Sequence, residues 1–268
     1  YMSKKFIAGG CSFTFGHELS DDDQGKIPSK KSWAYLIKDQ KDQYICTAKG
    51  GLGNQGIARR VFHAVQSFKP GEISCVAVMW TFISRYDWAM PRHKYLDNTR
   101  WASITPWDTS NQQIDVHNKT AGNEPFREIW QERMDQSRET GVNDFANALY
   151  RYAANEYHEL YLSWKSIIWL QNILDKKGIK YFFTLADNNL FYDEFVLHRD
   201  KNDDLIQYLY KEIDFTKWAS FGERMMGFNQ WALLNKYDMG ITHPLDKAHE
   251  DAIMLLKPKF KKIIGGKK

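Results

Sequence analysis

The chain has only three cysteines in 268 residues. Each sits in or beside an apolar run, so there is no disulfide framework, and the three read as small buried side chains of a reduced, intracellular-type protein. No stretch approaches the roughly 20 consecutive apolar residues of a membrane-spanning helix, so no membrane partner is expected. Lys+Arg 37 against Asp+Glu 33 leaves a net charge of +4, too small and too dispersed for a nucleic-acid-binding surface. Internal repeats and low-complexity tracts are missing, which excludes solenoid and disordered classes. The segment Tyr1-Met2-Ser3-Lys4-Lys5 runs straight into an apolar stretch, so no signal peptide is expected. What is abundant is aromatic: 15% of residues, with ten Trp, in a composition that is otherwise ordinary for a globular protein at 43% apolar and 26% charged. A chain of this length buries a sizeable core without metal or disulfide help.

The pattern of apolar runs alternates strand and helix. Lys5–Gly10, Tyr44–Ala48, Ile73–Phe82 and Lys180–Leu185 read as strands, and the third is a continuous apolar run of the kind covered on both faces in a parallel sheet. Helical spacing appears at Trp33–Asp39, at Asn54–Phe68 (Ile57, Val61, Ala64 and Val65 on one face), over a long stretch from Val142 to Lys177, and at Asp246–Ile263. This order predicts an α/β fold, a doubly wound, mostly parallel sheet flanked by helices, in one domain over residues 1–268. Asp87 to about Asn143 breaks the rhythm and reads as a large aromatic-rich insertion or lid.

Ligands of open α/β sheets bind beyond the carboxyl ends of the strands. Gly9-Gly10-Cys11-Ser12-Phe13-Thr14 occupies that place after the first strand, where glycines allow a tight turn that exposes the Ser12 hydroxyl. The same serine also suits a plain helix N-cap. Gly50-Gly51-Leu52-Gly53-Asn54 follows the second strand and opens a helix. It has neither the GxxxxGK[ST] of a phosphate loop nor the GxGxxG of a dinucleotide site, and by itself it marks a special turn. His63, His93, His117, His158 and His198 are scattered without metal-ligand spacing. No metal and no cofactor are expected.

Taken together, these segments resemble the SGNH (GDSL-type) hydrolases. Gly10-Cys11-Ser12-Phe13-Thr14 is similar to the Gly-Cys-Ser-Phe-Thr form of that family's first block. Gly50, with Gly51 as the near alternative, matches the oxyanion glycine of its second block. His243-Pro244 and His249 reproduce its terminal histidine and the second histidine six residues on. The resemblance implies an SGNH-type, flavodoxin-like three-layer sandwich and a serine esterase or deacylase using a Ser–His(–Asp) mechanism. Ser12 would be the nucleophile, His243 the base, and the Ser12 and Gly50 N–H groups would bind the oxyanion. The substrate would be a small-molecule or carbohydrate ester. Relatives with this block are phage-encoded or bacterial, which implies a cytoplasm, or a host cytoplasm or virion. Oligomeric state stays open.

Two departures from the family stand out. The asparagine expected after the third strand is missing from Met79-Trp80-Thr81-Phe82-Ile83-Ser84-Arg85, leaving Thr81 or Ser84 as replacement donors, or Arg85 as a charge. The aspartate expected three residues before the histidine is replaced by Gly240. Asp238, five before His243, is the nearest candidate acid, and Asp246 with His249 forms an alternative Asp-x-x-His pair, although Asp246 also suits the start of the last helix. Arg85, Trp80 and Trp88 are the candidate substrate contacts. Trp80, Trp88, Trp101 and Trp107 could stack on a sugar or pack the insertion's own core. The alternative function is an SGNH-like fold kept for binding, with weak or no catalysis.

Overall fold

A computed structural model of the protein describes residues 3–109, 124–191 and 203–265, without the side chains of 124–130. Six strands are formed among these residues: β1 (Lys5–Gly9), β2 (Gln43–Cys46), β3 (Ile73–Trp80), β4 (Tyr86–Ala89), β5 (Trp101–Ile104) and β6 (Tyr181–Leu185). Four of them make one parallel sheet in the order β2-β1-β3-β6. β6 is buried at every position and β3 at all but Ser74, as expected for strands that carry helices on both faces. The mostly parallel α/β architecture expected from the sequence is the one observed.

Among the described residues, nine α-helices accompany the strands: α1 (Ser12–Phe15), α2 (Trp33–Ile37), α3 (Asn54–Gln66), α4 (Glu124–Glu139), α5 (Val142–Tyr152), α6 (Glu156–Lys176), α7 (Asp204–Lys211), α8 (Phe228–Leu234) and α9 (Asp246–Gly265). Side chains alternate faces along β1, and this separates the two helical layers. Phe6 points toward α9, where its ring meets Phe260 at 6.1 Å. Gly9 faces the other way, so close to α3 that a Cβ there would lie 2.4 Å from Val61 Cγ2. α3 packs on α6, and α2 on α9.

The continuous helical pattern from Val142 to Lys177 is two helices. The break falls at Ala153-Ala154-Asn155, where the Asn155 side chain accepts the His158 N–H at 2.9 Å and starts a new helix. An N-cap of this kind satisfies a donor that the first helical turn leaves unbonded. The segment read as an insertion carries more order than its polarity suggested. β4 and β5 form an antiparallel hairpin, and Tyr86, Ala102 and Ile104 share a small core with Val142 and Ala146 of α5. Ion pairs fasten this hairpin to α3: Arg59 to Asp87 at 2.7 Å and Arg60 to Asp97 at 2.7 Å. Arg59 also stacks on Trp101, 4.5 Å from its centroid. His117, His198, Lys267 and Lys268 lie outside the described residues. Among the described residues, no helix is long and apolar enough to cross a membrane.

Candidate active site

β1 delivers Ser12 to the carboxyl edge of the sheet through a turn only glycine accommodates. Gly10 has φ +156°, and a Cβ on it would sit 2.0 Å from Thr14 Oγ1 and 3.2 Å from the Met79 carbonyl. Ser12 is the first residue of α1, with Cys11 in the capping position and no side-chain cap. The Ser12 hydroxyl therefore does not serve the helix. It lies within hydrogen-bond distance of His243 Nε2, at 2.7 Å.

His243 comes from the segment that enters α9. The Gly240 N–H donates to the His243 carbonyl at 2.8 Å and the Leu245 N–H to the Asp238 carbonyl at 3.0 Å, which fixes a tight turn around the imidazole. The Phe13 ring packs edge-on against it at 4.9 Å. On the far side, His243 Nδ1 lies 2.6 Å from Glu18 Oε2. If Nδ1 carries the proton, it donates to the carboxylate and leaves Nε2 free to accept from Ser12.

Glu18 is held by much more than the imidazole. Its Oε1 accepts the Ile241 N–H at 2.8 Å, and its Oε2 accepts the Thr242 and His243 N–H groups, each at 3.0 Å. Burial works to raise its carboxyl, but the bond and charge of His243 and these backbone donors outweigh it, and the pKa falls from 4.5 to about 2. The backbone at Glu18 is left-handed, φ +68°, a region costly for a residue with a Cβ. Its own N–H is held by Asp22 Oδ2 at 2.8 Å.

The acid expected from the sequence is thus displaced. Asp238 is exposed and contributes its carbonyl to the turn. No bond joins its carboxylate to His243, because the chain between them folds back on itself and the approach to Nδ1 is taken by Glu18. The Asp246–His249 pairing is likewise not formed. Asp246 accepts from Ser20 N–H at 2.9 Å and pairs with Lys31 at 2.6 Å, tying the loop after α1 to the start of α9. His249 is 1% exposed, and its Nδ1 accepts the Trp33 N–H at 3.1 Å. It thereby satisfies an orphan donor at the start of α2. Burial pulls its pKa down to about 3, so it stays neutral.

Ser12 and His243 open onto a cleft of about 550 Å³. Gly50 and Gly51 line it in a turn closed by the Leu52 N–H on the Lys49 carbonyl at 3.3 Å. Gly51 has φ +77°, the positive value a type II turn requires at its third residue. The turn's own bond makes no use of the Gly50 N–H. Ser84 and Arg85 also line the cleft. Thr81 does not: it is 1% exposed, its hydroxyl donates to Cys11 Sγ at 3.1 Å, and its N–H donates to Asn54 Oδ1 at 2.8 Å. Of the tryptophans, Trp80 is fully buried against Phe183 and Trp88 is exposed beside Phe145, so neither meets the cleft. Trp107 does line it.

Glu18, His17, Asn54 and Arg133, at or under this site, were not among the residues singled out from the sequence. The His17 ring lines the cleft, and a Cβ on Gly50 would lie 3.2 Å from its Cε1. Burial first, then the neighbouring His243, lowers its pKa. Asn54 clamps both backbone groups of Thr81 and reaches Ser163 at 3.0 Å. Among the described residues, no cluster of three or more His, Cys, Asp or Glu is placed to hold a metal ion.

No protein-family model matches the chain, and no curated protein matches it by sequence. Solved structures of similar course include these two. One is a member of the lipolytic protein G-D-S-L family from Veillonella parvula, 10% identical, with a TM-score of 0.44 over 99% of this chain and 100% of that one. The other is named a "putative acylhydrolase", from Bacteroides fragilis; it is 12% identical, with a TM-score of 0.42 over 97% of this chain and 88% of that one. Likeness of this degree carries no argument about chemistry, so the functional reading rests on the site itself.

Proposed function

We propose that the protein is a serine acyl hydrolase, cleaving an ester or O-acyl group through Ser12, His243 and Glu18. The observation that carries this reading is the continuous chain of short contacts from Ser12 Oγ to His243 Nε2 and from His243 Nδ1 to Glu18 Oε2. A serine hydroxyl is a weak nucleophile at neutral pH and needs a base within about 2.6–3.2 Å. His243 takes the hydroxyl proton as Ser12 Oγ bonds to the substrate carbonyl carbon. Glu18, ionised at any working pH, fixes the imidazole tautomer and stabilises the imidazolium that forms. The Ser12 and Gly50 N–H groups face the developing oxyanion. The bond to the leaving alkoxide then breaks, and the alcohol departs with the proton from His243. Water, deprotonated by the same imidazole, releases the acyl group from Ser12.

The site departs from the expected triad in its acid, a glutamate six residues after the nucleophile rather than an aspartate from the segment before the histidine. The test is hydrolysis of a small aryl acetate by the wild type and by Ser12→Ala, with labelling by a serine-directed phosphonate. Turnover and labelling that both depend on Ser12 support the reading. Equal turnover by the two proteins removes Ser12 from the reaction and leaves the fold to a binding role.

A further inference from the structure

The carboxylates that line the cleft are engaged by other groups while Arg85 has no ion pair among the described residues, and this difference points to a class of substrate. We infer that the cleft takes an ester bearing an anionic group, a carboxylate or a phosphate, received by Arg85 with Arg133 beside it. This rests on the acyl-hydrolase reading of the same cleft.

Arg85 follows β3 and lines the cleft that holds Ser12. Its guanidinium lies over the Phe82 ring at 4.5 Å. Its only hydrogen bonds among the described residues are long ones from Nη1, 3.4 Å to the Leu52 carbonyl and 3.5 Å to Thr81 Oγ1. None of the ion pairs among the described residues involves Arg85. The two carboxylates that line the cleft are occupied by other partners. Glu18 serves His243 and three backbone N–H groups. Asp22 accepts the Glu18 and Gly25 N–H groups, each at 2.8 Å.

The second guanidinium also approaches the glycine turn. A Cβ on Gly51 would lie 3.5 Å from Arg133 Nη2. Arg133 pairs with Asp108 at a long 3.4 Å, while the other oxygen of Asp108 is taken by the N–H and hydroxyl of Thr105. The Gly50–Leu52 segment therefore lies close to two guanidiniums, in a cleft whose lining includes Phe13, Phe82 and Trp107. Arg85, a half-buried cation with no ion pair among the described residues, is disfavoured in such surroundings until an anion joins it. Guanidinium forks match carboxylate and phosphate oxygens in pairs. An ester whose carbonyl lies over the glycine turn would place an attached anion between these arginines.

The experiment compares 4-nitrophenyl butyrate with the 4-nitrophenyl monoester of glutaric acid, in wild type, Arg85→Gln and Arg85→Lys. The expected result is a kcat/KM at least tenfold higher for the charged ester in the wild type. Arg85→Gln should lose that preference, mainly through KM, and Arg85→Lys should keep part of it. A wild type that favours the neutral ester, or a charged-to-neutral ratio unchanged in Arg85→Gln, overturns the inference while leaving Ser12-dependent hydrolysis intact. Should neither ester be cleaved, the hydrolase reading falls separately, and thermal protection by glutarate or inorganic phosphate decides the anion site. Protection of wild type that Arg85→Gln loses supports it, and the protecting ion identifies carboxylate or phosphate. No protection by either overturns it.

Discussion

Replacing Glu18 by Gln removes one charge with almost no change of volume, and the contacts around the carboxylate determine the cost. It accepts three backbone N–H groups besides the imidazole. An amide NH2 at the Oε1 position would oppose the Ile241 N–H. At the Oε2 position it would oppose the Thr242 and His243 N–H groups and donate to His243 Nδ1. The second arrangement moves the imidazole proton to Nε2, where it can no longer accept from Ser12. A carboxylate-to-amide change behind a triad histidine costs on the order of 10⁴ in kcat by that route. The stability effect comes from linkage. The folded pKa is about 2 against an ordinary 4.5, which contributes about 2 kcal/mol at neutral pH after allowance for solvent screening. Losing this lowers the melting temperature by roughly 4–8 °C for a domain of this size. Steady-state hydrolysis of an aryl acetate and a thermal melt read both quantities, with Asp238→Asn as a control expected to match wild type in each. If Glu18→Gln keeps kcat within about threefold of wild type while Ser12→Ala is inactive, Glu18 does not orient the histidine, and the reasoning from its contacts is wrong.

Other consequences concern the groups that support the site. Asn54→Ala leaves the buried Thr81 N–H without its acceptor, so the protein should lose about 2–3 kcal/mol in denaturant unfolding; an unchanged midpoint would mean that the end of β3 does not depend on this clamp. His249 titrates at about 3 in the folded protein because it is buried, against 6.5 ordinarily. The unfolded chain binds that proton first, so its contribution is full above pH 6.5 and is lost as pH falls toward 3. Wild type should therefore lose up to about 1.4 kcal/mol per pH unit between pH 6 and 4.5 from this group, and His249→Gln, which keeps an acceptor for Trp33, should show a shallower slope. Equal slopes would assign the acid sensitivity elsewhere. Below about pH 4.5, protonation of Glu18 adds a further loss down to about pH 2, and urea midpoints of Glu18→Gln should be flatter than those of wild type across that range.

How far the sequence could be read depended on whether a residue's surroundings are local. β3 and β6 declared themselves because a strand covered on both faces must be apolar throughout. Gly10 marked a turn with no room for a Cβ, and Gly51 one whose positive φ favours glycine. The break between α5 and α6 was hidden inside one long apolar pattern, since the hydrogen bond from His158 N–H to Asn155 is only one among several options that a polar residue offers. Trp80 looked like a site residue by position and is core, because burial of one strand end is decided by the helices that cover it.

Glu18 is the sharpest case. Its spacing from Ser12 resembles no helical or strand repeat, and its left-handed backbone would be unfavourable by itself. The nearest signal was a polar, acidic stretch shortly after Ser12. Sequence by itself determined the alternation of strand and helix, the placing of Ser12 at a strand's carboxyl end, and the candidate histidine before the last helix, because each rests on apolar periodicity or on glycine's freedom over a few neighbouring residues. Only the tertiary structure decided which carboxylate stands behind His243, that His249 clips a helix and stays out of the cleft, and that Arg85 and Arg133 line the cleft. Those outcomes depend on contacts between segments far apart in the chain, where charge and hydrogen-bond geometry choose among acids that the chain alone leaves equivalent.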